Sequence, residues 1–86
     1  KIKHEYLVEV ALGNKTFELR KNDRDYQVGD LIHFIDLGYK PSNKLECEPF
    51  IDEDAFYQIT YILKDVPEYG LDKDYCILGI KKLEVK

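Results

Sequence analysis

The densest chemistry in the sequence lies between Gly13 and Asp30, "GNKTFELRKNDRDYQVGD". Glu18 and Arg20 stand two apart, a spacing that in an extended chain puts both on the face that also carries Thr16. A guanidinium donates in a fixed fork and a carboxylate accepts from amines, so such a pair can read a base or a phosphate. Lys15 precedes the pair on the opposite parity, and it reaches the same site only if its long stem bends round. Lys21 and Arg24, alternating with Asp23 and Asp25, offer phosphate contacts or a solvated loop, and Tyr26 offers a stacking surface for a base. From Lys15 to Asp25 the balance is four basic against three acidic residues. Lys81 and Lys82 in the terminal "KKLEVK" would extend a phosphate track if they lay beside this loop. Tyr39 and Tyr69 are further stacking candidates, each competing with a plain anchoring role.

The elements that must position these side chains follow from the pattern of apolar residues. Tyr6, Leu7, Val10 and Ala11 form one face of a helix from His4 to Leu12, which Gly13 ends. The period then changes to two, so 16–20 reads as a strand with Phe17 and Leu19 toward a core and Thr16, Glu18 and Arg20 outward. Val28-Gly29-Asp30 reads as a tight turn opening a second strand, "LIHFIDLG", apolar on both parities, so that both its faces are covered or the barrel it belongs to is closed. "AFYQITYILKD" is the strongest strand, with Tyr57, Ile59, Tyr61 and Leu63 on one face. Tyr57, Tyr61, Phe34 and Phe56 are expected in the core. "YCILGIKKLEV" is the last strand, where Gly79 suggests a bulge or a corner.

Residues 38–54 break every period, hold two of the three prolines and end in the acidic cluster of Asp52, Glu53 and Asp54. They read as an insertion loop whose acidic part, from about residue 46, could contact a protein partner. The expected architecture is one domain over 1–86, mainly β with one or two short helices, a small β-barrel plugged by the helix; a split α+β sheet is the alternative.

The 86 residues are 44% hydrophobic and 35% charged with a net charge of −4, a composition suited to one folded domain and not to a protein held on nucleic acid by bulk charge. Cys47 and Cys76 lack a close-spaced partner and read as free thiols. His4, His33 and Cys47 have no ligand spacing, so neither a metal nor another cofactor is expected. No apolar run approaches the roughly 20 residues that span a bilayer, and no secretory leader is visible, so the expected location is the cytoplasm.

The run G-x-K-T-x-E-x-R formed by Gly13, Lys15, Thr16, Glu18 and Arg20, with Val28-Gly29-Asp30 opening the next strand, resembles an ASCH domain of the PUA-like superfamily. "KTFELRKNDRDYQVGD", "TYIL" and "YCILGI" are similar to a small bacterial and phage branch of that family of unknown function. The resemblance implies a PUA-like pseudo-barrel with a charged cleft beside the helix, binding RNA or a modified nucleotide through Lys15, Thr16, Glu18, Arg20, Lys21, Arg24 and Tyr26. One branch of the family hydrolyses the amide of acetylated cytidine with a Lys, a Thr and a Glu. Lys15 falls on that lysine and would be the catalytic residue of a small amidohydrolase. Glu18 occupies the threonine position, and the third member has no match here.

Overall fold

A computed structural model of the chain describes residues 1–38 and 54–83. Helix α1 (His4–Ala11) is followed by strands β1 (Phe17–Lys21), β2 (Leu31–His33), β3 (Phe56–Leu63) and β4 (Tyr75–Lys82), with a 3-10 turn at Pro67–Tyr69. The strands form one antiparallel sheet in the order β1-β4-β3-β2, curled into a half-barrel. The fold is therefore mainly β with one short α-helix, as the pattern predicts. Cys47, Tyr39 and nearly all of the expected insertion, including its acidic cluster apart from Asp54, lie outside the described residues.

Helix α1 turns Leu7 and Val10 inward and is too short to stand without that packing. Its chain reverses through Gly13 at φ +81°, a conformation that glycine adopts without steric cost. Leu7 and Val10 join Ile2, Phe34, Tyr57, Ile59, Cys76, Leu78 and Ile80 in the core on the concave face of the sheet. Cys76 and Leu78 are completely enclosed. This is where alternation along β4 is cleanest: residues 76, 78 and 80 point in, and their neighbours point out.

Four expectations are corrected. On β1 the period of two holds, but its sign is reversed: Phe17 and Leu19 are 48% and 54% exposed, whereas Glu18 is buried at 6%. The charged side of the strand is the inner side, which is tolerable because Glu18 finds two cationic partners there. The second strand ends at His33; beyond it Phe34 is buried while Ile35 and Leu37 are exposed, so its two faces are not both covered. On β3, Tyr57 and Ile59 face the core, but a bulge between Ile59 and Tyr61 shifts the parity. Tyr61 is then turned out at 65% exposure and Ile62 turned in. Phe56 is likewise exposed and sits against the His33 ring, not in the core. The glycine read as a bulge marker, Gly79, lies on β4 opposite this irregularity, where a Cβ would come within 3.0 Å of Thr60 Oγ1. The fourth correction concerns Lys81 and Lys82. Lys21 pairs with Tyr75 at the far end of β4, so at about 3.3 Å per residue the two lysines stand roughly 20 Å away and extend no track from the loop.

Residues at the start of the chain bridge the open side of the half-barrel. Ile2 forms a parallel bridge with Asp36, with Ile2 N–H donating to the Ile35 carbonyl at 2.8 Å and Leu37 N–H to the Ile2 carbonyl at 2.8 Å. From the other side, Arg20 on β1 donates to the Lys1 carbonyl at 2.8 Å. A side chain thus spans the gap where a backbone ladder would close a full barrel. His4 Nδ1, 2.7 Å from Asp36 Oδ2, ties the start of α1 to the same segment.

Candidate functional site

Two concave regions meet at Arg20. The first, about 600 Å³, is a cleft between the two edge strands, with Ile59 and Leu78 of the central strands as its floor. Arg20, Lys21, Arg24 and Tyr26 line one wall, and Leu31, Ile32 and His33 of β2 the other. Asp23, Asp25 and Asp30 share its rim. The 22–30 segment is held in place at both ends. Asn22 N–H donates to the Asp74 carbonyl at 2.8 Å, continuing the β1–β4 pairing, while Gly29 N–H donates to the Ile59 carbonyl at 2.8 Å and Ile59 N–H to Asp30 at 2.9 Å. Gly29, at φ +100°, makes that turn possible, and the Asp30 carboxylate accepts from Gln27 N–H across it. Tyr26 is half-buried against the core, so one side of its ring is anchored while the residue still borders the cleft.

The second region, about 500 Å³, lies between α1 and the outer edge of β1 and is lined by Tyr6, Lys15, Phe17, Glu18, Leu19, Arg20 and Leu37. Its central feature is a three-membered charge network. Glu18 accepts from Lys15 Nζ through one carboxylate oxygen and from Arg20 Nη2, at 2.7 Å, through the other. Lys15 also donates to the Phe17 carbonyl at 2.8 Å, and its ammonium stands 5.0 Å from the centre of the Phe17 ring and 5.8 Å from that of Tyr6. The lysine stem does bend round, and its side chain is only 15% exposed. Carboxylate, carbonyl and ring faces all attract the ammonium. The result is a lysine held in place, with Arg20 held in turn by Glu18 and presented to both concave regions.

Of the seven residues proposed from sequence, Arg20, Lys21, Arg24 and Tyr26 line the cleft, while Lys15 and Glu18 line the second region with Arg20. Thr16 lines neither; it is exposed, and its carbonyl accepts from Ile80 N–H at 3.0 Å. Sequence reasoning missed Asp30 and the β2 wall, although the Val-Gly-Asp turn was the signal that could have placed them. It also missed Tyr6, whose position on the outer flank of α1 becomes meaningful only with Lys15 beside it. Tyr69 is 84% exposed in the β3–β4 connection and lines neither region.

Among the described residues, no cluster of three His, Cys, Asp or Glu side chains could hold a metal ion, and no helix is long and apolar enough to cross a membrane. Cys76 is a free thiol whose burial pushes its pKa above the ordinary value, which favours an inert packing role over a nucleophilic one. No curated protein matches the sequence. Over residues 1–80, nearly the whole chain and all of both concave regions, the sequence matches the family described as "Domain of unknown function (DUF3850)", and the chain belongs to that family.

Proposed function

We propose that this domain binds single-stranded RNA or a nucleotide in the cleft between β1 and β2, in keeping with its resemblance to ASCH domains. The observation that carries the reading is the convergence of Arg20, Lys21, Arg24 and half-buried Tyr26 on one concave surface of about 600 Å³. That volume lies within the range of small-ligand sites. Lys21 and Arg24 contact phosphate, Arg20 presents a guanidinium pre-oriented by Glu18, and Tyr26 supplies a ring face. The acidic rim of Asp23, Asp25 and Asp30 accepts from exocyclic amines or ribose hydroxyls, and it discourages indiscriminate phosphate binding.

Lys15 acts here by fixing Glu18, which in turn fixes Arg20. Its ammonium is already engaged by a carboxylate, a carbonyl and two ring neighbours, an arrangement that suits a positioning group better than one that must reach a substrate. With two cations free to meet phosphates, the affinity for a single strand should fall with salt on a log–log slope of about −1.4. Fluorescence anisotropy with a labelled single-stranded RNA checks this: Lys21→Ala and Arg24→Ala together should weaken binding at least tenfold and flatten the slope, with the far-UV CD spectrum unchanged. Equal binding by wild type and the double variant would remove the cleft from consideration.

A further inference from the structure

The convex face of the sheet carries an apolar surface that no described element covers. Register places its side chains in two rows across three strands. Leu19, Ile77 and Leu63 form one row, and Phe17 and Tyr61 flank Gly79 in the next. Tyr75 extends the surface at the start of β4. Phe17, Leu19 and Tyr61 are 48%, 54% and 65% exposed, and Leu63 and Tyr75 are each 37% exposed. Helix α1 packs its own apolar residues into the opposite, concave face.

We propose that this face joins two copies of the chain in a symmetric, sheet-on-sheet dimer. Area is the first reason. A fully open aromatic side chain presents about 200 Å² and a leucine somewhat less, so the exposed fractions leave roughly 500 Å² of apolar surface in one patch. That is near the upper end of what a monomer's largest patch shows. Mutual burial of this patch by two copies removes about 1,000 Å² in total, the size at which a contact between proteins becomes specific. Shape is the second reason. Rows of aliphatic and aromatic side chains on a twisted sheet interdigitate with an identical face at about 10 Å separation and about 30° between strand directions. A two-fold axis through the patch makes that contact self-complementary. The arrangement leaves the two charged clefts on the outer faces, both open to ligand.

Sedimentation equilibrium of the whole chain from about 1 to 200 µM is the test. The expected result is a monomer–dimer equilibrium in wild type and a monomer at every concentration for Leu19→Glu and for Tyr61→Glu. Dispersed amide spectra must show that both variants are folded, and Arg24→Glu, in the cleft, should dimerise as wild type does. A wild-type monomer throughout, a dimer that survives both face substitutions, or one lost equally in Arg24→Glu overturns the proposal.

Discussion

Glu18 is the residue on which both concave regions depend. It is a carboxylate with 8% side-chain exposure, held by one ammonium and one guanidinium, and truncating it leaves two cations facing each other without an anion. Removing one member of a buried pair typically costs 3–5 kcal/mol; because Arg20 is partly solvated, Glu18→Ala should lower stability by about 3 kcal/mol, read as a reduced urea midpoint. Arg20→Ala should also destabilise, because the same guanidinium spans the gap to the Lys1 carbonyl. Lys21 and Arg24, both exposed, are therefore the cleaner probes of binding. Cys76 yields a second prediction at this scale. Burial raises its pKa in the folded state above the ordinary value of 9.0, so above about pH 9 the unfolded chain gives up this proton while the folded chain retains it. Unfolding is thereby favoured as pH rises. In a Cys47→Ser background, the urea midpoint should fall above pH 9 and a thiol reagent should react only as the protein opens.

At the scale of elements, the close seating of the segment after β2 on the helix start is the most exposed to a single methyl group. A Cβ at Gly38 would lie 2.5 Å from His4 Cβ, on the same short stretch where Asp36 accepts from Gly38 N–H and pairs with His4. Gly38→Ala should cost about 1–3 kcal/mol and show as a lowered thermal midpoint, whereas at Gly70, with nothing near a Cβ, the cost would come from its φ of +91° alone. Helix α1, the turn at Gly29 and the alternation of β4 were all legible in the sequence, because each rests on local chemistry: an apolar helical face, a glycine with positive φ, a clean period of two. The two misread faces have one cause. Alternation reveals the period of a strand and leaves its sign to a rule of thumb, that charges face water. On β1 that rule gives way because Lys15, from the other parity, folds back to neutralise Glu18. On β3 a bulge at Thr60 exchanges the faces midway, and nothing in the run "YQITYIL" announces it.

For the whole molecule, one small sheet carries a core and charged cleft on its concave face and an apolar convex face, and the charge network at the β1 edge adjoins that apolar face through Phe17 and Leu19. The candidate site was partly legible, since the residues from Lys15 to Tyr26 are contiguous and chemically distinctive. Their division between two concave regions was not, because it depends on how far the sheet curls and on where β2, distant in sequence, forms the opposite wall. The proposed ligand of the cleft is single-stranded RNA or a nucleotide. Titration of the isotope-labelled chain with a single-stranded RNA hexamer, followed by amide chemical shifts, tests it most directly. Shifts should concentrate at Arg20 to Tyr26 and at Leu31 to His33, and Lys21→Ala with Arg24→Ala should abolish them. Absence of shifts at millimolar RNA, or shifts confined to Phe17, Leu19 and Tyr61 on the convex face, would contradict it.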